Sequence, residues 1–496
     1  MVEAKTKFEK ILDVSLKRGI FYPSAEIYPE SAGYYTYGSI GLRIKHNWQN
    51  MWRAFFLSLD DNFHEIESTD ILPAYVFQAS GHVKNFIDPV AECSKCGHVE
   101  RADYILENAL KERFEGLSIP EFDKLIKKHG IKCEKCGGTL KDVGFVSLMF
   151  NVGNRLQAGT NIPTHFLRPE TAQGAFVAFK REYLANRERL PLGLAIVGKA
   201  FRNEIAPRQG LYRTREFTQA ELQVFLDPAT IDKHPEWDSV KSKEIHAVLA
   251  TERKKAIHAH KASDLVKHGI PQSYVYYMAK IQEFYEKLGF HGRFRFFQKN
   301  DEEKAFYNKI QFDGEIDINS FGGFQEVLGL HYRTDYDLKN HQNTSKQSME
   351  VTKDGKKFTP HVIELSFGVD RNIYALLDHT FKEGEFKEGT RRYFALPPKL
   401  APYPVSIFPL VSKDGVDEKA RHVYKFLENF DPWYDDSGSI GRRYARSDEV
   451  GIPFGITIDY DTLKDDTVTI RDRDTQKQRR VKIAELPDEL YSTLEK

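Results

Sequence analysis

Phe201-Arg202-Asn203-Glu204, then Ala206-Pro207-Arg208-Gln209-Gly210, then Tyr212-Arg213-Thr214-Arg215-Glu216-Phe217-Thr218-Gln219-Ala220-Glu221-Leu222-Gln223-Val224-Phe225 is the stretch that decides how this chain folds. The middle piece carries the proline and glycine of a tight connection. Leu192 to Glu204 and Thr214 to Phe225 therefore read as two antiparallel strands. Alternate side chains of a strand point to opposite faces. Thr218, Ala220, Leu222 and Val224 share one face; Gln219, Glu221 and Gln223, flanked by Phe217 and Phe225, share the other. The first face is core. The second suits a ligand, although a solvated strand face with Arg and Glu pairs has the same pattern.

The same alternation returns in His361-Val362-Ile363-Glu364-Leu365-Ser366-Phe367-Gly368-Val369-Asp370-Arg371, where Ile363, Leu365 and Phe367 alternate with Glu364, Ser366 and Gly368. Gly368 opens a helix through Ile373, Leu376 and Leu377, which puts Arg371 in the first turn against the helix dipole. An anion held between Arg202 and Arg371 would offset that cost, because planar guanidinium forks suit phosphate and stack on aromatic bases.

A third strand, Gly323 to Tyr332, carries Glu326 and leads into Arg333, and its glycines permit close backbone approach. Leu167-Arg168-Pro169-Glu170-Thr171-Ala172-Gln173-Gly174 adds an acid at a proline-defined corner. Alone, either piece could be structural. The sequence has neither a P-loop nor GxGxxG, so a nucleotide would be held by arginines and sheet. Earlier, Trp48, Met51, Trp52, Phe55, Phe56 and Leu59 recur at helical spacing, and Ile66 to Leu72 reads as a strand ending at Pro73.

The 496 residues are 29% charged and 41% hydrophobic, enough for several domains without disulfide staples. Lys and Arg balance Asp and Glu at 72 each, so a nucleic-acid site must be a local basic patch. No apolar run approaches the roughly 20 residues of a membrane span, which excludes an integral membrane role. The start MVEAKTKFEK lacks a signal-peptide core. All four cysteines fall in two pairs, Cys93-x-x-Cys96 and Cys133-x-x-Cys136, the spacing of tetrahedral zinc knuckles. Four thiolates leave no open position, so the zinc is expected to be structural, in a reducing cytoplasm.

The cluster Leu396-Pro397-Pro398-Lys399-Leu400-Ala401-Pro402-Tyr403-Pro404 marks a junction before the strand Val405 to Leu410. The expected organisation is α+β: a catalytic body over 1–89, 147–227 and 301–396, a zinc-binding insertion over 90–146, a helical insertion over 228–300, and a C-terminal α/β domain over 401–496. Within that last domain, 435–446 reads as a basic loop, and the run Arg471 to Lys482 adds further cations.

These motifs carry a resemblance. Phe-Arg-Asn-Glu with its loop and returning strand resembles motif 2 of class II aminoacyl-tRNA synthetases; Ser366 to Arg371 resembles motif 3; the helix, strand and Pro73 resemble motif 1. Within that class, Arg168 to Gly174, Ile363-Glu364-x-Ser366 and Ser439-Ile-Gly-Arg-Arg-Tyr444 resemble the dimeric glycyl-tRNA synthetase family, over nearly the whole chain. The sequence departs from the family pattern at Ser39, Phe324 and Leu365, where proline, tryptophan and proline are common.

The resemblance implies a class II antiparallel sheet flanked by helices, an anticodon-binding C-terminal domain, a homodimer formed through motif 1, and the substrates glycine, ATP and tRNA(Gly), with magnesium as cofactor. It implies Arg202, Glu326 and Arg371 as catalytic residues. It assigns ATP to Arg202, Asn203, Glu204, Tyr212, Arg213, Phe217, Glu326, Val327, Gly368 and Arg371, with Glu326 on magnesium. Glycine falls to Arg101, Glu170, Phe217, Glu221, Arg333, Glu364 and Ser366. Two other readings compete: a synthetase for another small amino acid, opposed by the acid set Glu170, Glu221 and Glu364, and an inactive RNA-binding relative, which would have lost Arg202, Glu326 or Arg371.

Overall fold

The computed structural model describes residues 5–28, 32–110, 114, 117–152, 164–205, 207, 209–253, 258–386 and 389–494. Ala206 and Arg208 of the turn lie outside them. The nine strands of the main sheet are β1 Phe63–Glu65, β2 Leu192–Phe201, β3 Glu216–Leu226, β4 Glu244–Val248, β5 His258–Lys261, β6 Phe294–Gln298, β7 Ile310–Ile318, β8 Gly323–Thr334 and β9 His361–Gly368. Their order is β5-β4-β6-β7-β8-β9-β3-β2-β1. From β6 to β2 every pairing is antiparallel; β1 on β2 and β4 on β6 are parallel.

Period two sorts this sheet as the sequence suggests. Ala220, Leu222 and Val224 of β3, with Ile363, Leu365 and Phe367 of β9, enter the main core. Helices Ser39–Phe56, Gln272–Lys287 and Val369–Thr380 cover that side, each presenting aromatic or aliphatic residues to the same core. On the first helix, Trp48 packs edge-on against Phe284 at 5.7 Å and Trp52 against Phe367 at 5.9 Å. These tryptophans, 1% and 0% exposed, are core residues of this chain and lend no support to a subunit contact.

Two local readings change. The strand expected over Ile66 to Leu72 shortens to Ile71–Pro73, while β1 precedes it. The carbonyls of Ser68 and Thr69 accept from the Arg168 guanidinium instead of a neighbouring strand, which ends the ladder there. The stretch 228–300 holds the expected amphipathic helix Gln272–Lys287 and also β4, β5 and β6, which extend the sheet.

The first insertion pairs Ile87–Glu92 with Val99–Arg101 and with Gly144–Ser147, and packs helices Ala102–Leu110 and Ile119–Lys128 around Phe122 and Ile126. Beyond the proline cluster a five-stranded mixed sheet has its own core of Val405, Ile407, Ile456 and Ile470 with helix Val416–Phe426. The basic loop expected over 435–446 is in part helix Ile440–Glu449. Its first turn closes as the Arg443 N–H donates to the Ser439 carbonyl, with serine at the cap position.

Candidate functional site

Strand register builds the site. Glu221 of β3 lies opposite Ser366 of β9, which lies opposite Gly329 of β8; Gln223 faces Glu364, which faces His331. Of these positions Glu221, Ser366, Gly329, Glu364 and His331 line a cavity of about 240 Å³ on the sheet face opposite the main core, together with Glu170, Tyr307, Arg202 and Arg371. Glu170, Glu221 and Glu364 are all buried.

Each acid has a different environment. Glu364 accepts from Arg333 Nη1 at 3.0 and 3.2 Å, from Gln223 Nε2 at 2.9 Å and contacts His331 Nδ1. Burial would raise its carboxyl, but Arg333 and His331 hold it below the usual range. Glu170 accepts from Gln173 Nε2 at 2.9 Å and lies 3.5 Å from His82 Nε2 and 3.7 Å from Arg333 Nη2. Those two bases overcome burial and keep it ionised. Glu221 receives neutral donors: Thr171 Oγ1 at 2.6 Å, Gln219 Nε2 at 2.9 Å and the Ser366 hydroxyl. Burial, with Glu364 and Glu170 nearby, pushes it up to about 8. Arg333, fully buried, spends Nε and Nη2 on Asp337 at 2.7 and 2.9 Å and stacks on Tyr307 at 3.9 Å.

Arginines gather at the cavity's outer half. Arg202 lies against the rings of Phe217 and Phe86, at 5.2 and 5.4 Å, and its Nε donates to the Pro169 carbonyl at 3.0 Å. Glu204 accepts from Arg213 Nε at 2.8 Å. Arg371 pairs with Glu326 at 3.0 Å and sits over Tyr212 at 5.0 Å, while the Tyr212 hydroxyl donates to the Glu326 carbonyl at 2.8 Å. The cation that opposed the helix dipole thus has an anionic partner across the cleft. Gly368 caps that helix, the Val327 carbonyl accepts from Asn372 Nδ2 at 3.1 Å, and the Asn203 N–H donates to the Leu148 carbonyl at 2.9 Å.

The fold brings together every residue the resemblance assigned to glycine except Arg101. That guanidinium pairs with Asp88 at 2.8 Å and Asp103 at 2.7 Å in an adjoining recess. Several participants were missed. Asp370 accepts from the Tyr37 hydroxyl at 2.6 Å, from Lys45 Nζ at 3.1 Å and from the Thr218 N–H, which ties the helix after β9 to β3. His331 and Tyr307 line the cavity. His331 stood on the functional face of β8, so period two could have found it; Tyr307 lies in a turn with no periodic signal. Arg168, in the motif before the helix at Ala172, has a structural role: its Nη2 pairs with Asp70 at 2.9 Å and would lie 2.3 Å from a Cβ at Gly198, so a side chain there would push the guanidinium from its place.

The four cysteine sulfurs lie within 4.8 Å of one another, with Cys93–Cys136 at 3.5 Å and Cys96–Cys133 at 3.8 Å. Thiolates bonded at about 2.3 Å in a tetrahedron stand about 3.8 Å apart, so this donor set fits zinc. Gly97 and Gly137 each adopt φ 69° one residue after a knuckle, and their N–H groups return to the Cys93 and Cys133 carbonyls. The two knuckles are copies of one turn.

Comparison with known proteins places this geometry. Residues 160–259 match a tRNA synthetase class II core domain (G, H, P, S and T), and residues 404–493 match an anticodon binding domain. The chain is 36% identical to a glycine–tRNA ligase of Pyrococcus horikoshii over 98% of each chain. It is likewise 36% identical to a glycine–tRNA ligase of Aeropyrum pernix, over 98% of this chain and 97% of that one. The glycine–tRNA ligase of Methanocaldococcus jannaschii matches at 36% over 99% of both.

Proposed function

The chain belongs to the glycine–tRNA ligase family of class II synthetases, and from that premise we propose how its cleft performs the two steps of that reaction. Glycine and ATP give glycyl-adenylate and pyrophosphate; the glycyl group then passes to the terminal ribose of tRNA(Gly). The observation that carries the assignment is the small cavity walled by Glu170, Glu221, Glu364 and Ser366 directly beside Arg202 and Arg371. Its acids suit one ammonium, and its arginines suit the phosphorus that the glycine carboxylate attacks.

Negative charge grows on the oxygens of the α-phosphorus as the carboxylate attacks, so fixed cations lower the barrier. Arg202 serves the α-phosphate, held in place by Phe217 and the Pro169 carbonyl. Arg213 serves the distal phosphates, Glu204 the adenine amino group, and Phe217 with Arg371 the faces of adenine. Glu326, a hard oxygen donor beside Arg371, is the residue that would hold magnesium, which supplies further charge neutralisation at the phosphates. Cys93, Cys96, Cys133 and Cys136 would hold a structural zinc.

A pocket recognises a methylene by only about 1 to 3 kcal/mol, so glycine is selected by excluding larger side chains. Glu221 and Ser366, hydrogen-bonded to each other across β3 and β9, form that wall.

The C-terminal domain reads the anticodon arm. Among the described residues no helix is long and apolar enough to cross a membrane; a role in translation and thiols kept reduced for zinc support a cytoplasmic location. A homodimer is supported by an apolar groove that begins at Pro73, the end of motif 1, where Tyr75, Val177 and Leu184 are 71%, 39% and 55% exposed. Light scattering should give about twice the 57.3 kDa chain mass; a monomer at micromolar concentration removes this part of the reading.

Amino-acid-dependent pyrophosphate exchange across a panel tests the whole. Glycine alone should support exchange; preference for alanine or serine would reject the assignment.

A further inference from the structure

Beside the ATP half of the cleft lies a recess of about 670 Å³ whose walls come from two parts of the chain: Arg213, Glu204 and Glu326 from the catalytic body, and Arg101 and Tyr104 from the first insertion. Across it the Tyr104 hydroxyl accepts a hydrogen bond from Arg213 Nη1, while Arg213 Nε donates to Glu204 at 2.8 Å. Two of the three guanidinium nitrogens are therefore aimed by the protein, one from each side of the recess. A long arginine with several free torsions loses rotamer entropy when it grips phosphate, and contacts that fix it beforehand reduce that loss.

Tyr104 is itself fixed. It sits in the first turn of helix Ala102–Leu110, directly after strand Val99–Arg101 and the first cysteine knuckle. The Arg101 guanidinium lies 4.7 Å from the Tyr104 ring centroid, pairs with Asp103 at 2.7 Å and reaches Asp88 of the neighbouring strand at 2.8 Å. This is how the insertion touches the nucleotide side of the cleft without contributing to the cavity around Glu221. It also accounts for Arg101, which the fold withholds from that cavity.

We propose that Tyr104 is a positioning residue for adenylation: through its hydroxyl the zinc-knuckle insertion holds Arg213 in the orientation that receives the distal phosphates of ATP. The inference rests on the assignment of Arg213 to those phosphates.

Tyr104→Phe removes one oxygen and keeps the ring under Arg101. In glycine-dependent pyrophosphate exchange, the KM for ATP should rise by roughly three- to tenfold, the effect of having to order one long side chain on binding. The KM for glycine should stay within about twofold, and the unfolding midpoint and zinc content should match those of the parent. A merely structural tyrosine would shift stability or both KM values together.

Arg213→Ala, alone and combined with Tyr104→Phe, completes the cycle. If Tyr104 acts through Arg213, adding Tyr104→Phe to Arg213→Ala changes the KM for ATP by less than about twofold. An unchanged KM for ATP in Tyr104→Phe, with a raised one in Arg213→Ala, overturns the proposal while leaving the Arg213 assignment standing. An unchanged KM in Arg213→Ala overturns the assignment itself, and the proposal with it.

Discussion

Glycine binding should expel a proton from Glu221. In the empty cavity this carboxyl lies among acids whose basic partners are spent elsewhere. Arg333 serves Asp337 and Glu364, His331 serves Glu364, His82 lies on Glu170, and Arg168 is paired with Asp70. Burial and the neighbouring Glu364 and Glu170 push Glu221 up to about 8, so at pH 7 about nine-tenths of empty sites carry the proton. The glycine ammonium is the cation the cavity lacks. It binds the ionised form, and the exchange balances as one ammonium in and one proton out. The apparent Kd for glycine should therefore fall about tenfold from pH 6 to 7, about fivefold from 7 to 8, and then level off. Stability follows the same linkage. A carboxyl with a raised folded pKa favours the fold most at low pH, and that contribution is lost as pH rises toward about 8. Glycine should accordingly raise the unfolding midpoint more at pH 8 than at pH 6. Calorimetric titration with glycine in phosphate and in Tris at pH 7 should report about 0.9 proton released, and Glu221→Gln should abolish both the release and the pH slope. A Kd flat between pH 6 and 8, with equal heats in the two buffers, would refute the charge balance drawn for this cavity.

Arg202→Lys keeps the charge but loses the planar fork, so pyrophosphate exchange should fall roughly 100-fold or more; near-normal exchange would reject its α-phosphate role. Ser366→Gly opens the wall beside Glu221 and should raise alanine activation relative to glycine, whereas an unchanged ratio with intact glycine activity puts the wall elsewhere. Metal analysis should find about one zinc per chain, and four freely titratable thiols in the folded protein would argue against it.

What was legible in the sequence was whatever period two could sort. The alternation in Gln219 to Val224 and in Ile363 to Gly368 fixed which side chains enter the core and which line the cleft, and the register confirms both. Tyr307 and His82 were not legible, because each reaches the acids from a turn or a short helix whose place depends on tertiary packing. Trp48 and Trp52 misled in the opposite direction. A helix with many large apolar residues has too much surface for solvent, but the sequence does not say whether a partner subunit or Phe284 and Phe367 will cover it.

Charge misled in a more instructive way. Arg443, Arg471 and Arg473 counted toward a basic surface in the C-terminal domain, yet all three are buried. Arg443 donates to the Gly438 carbonyl at 2.7 Å, Arg471 holds Asp448 at 2.9 Å, and Arg473 reaches the Leu396 carbonyl at 2.9 Å across the domain junction. Asp448 and Glu449 end helix Ile440–Glu449, where acids oppose the dipole as Arg371 does at the start of its own helix. In both places the cost is offset by a distant opposite charge. For Arg371 the partner is Glu326, across the catalytic cleft; for Asp448 and Glu449 the partners include Arg391 and Arg18 of the catalytic body. A charge at the wrong end of a helix thus announces a long-range ionic partner. Whether that partner marks a binding site or a domain contact is decided by exposure, and in the domain that matches an anticodon binding domain the cations the fold leaves in solvent include Arg442, Lys477 and Lys482.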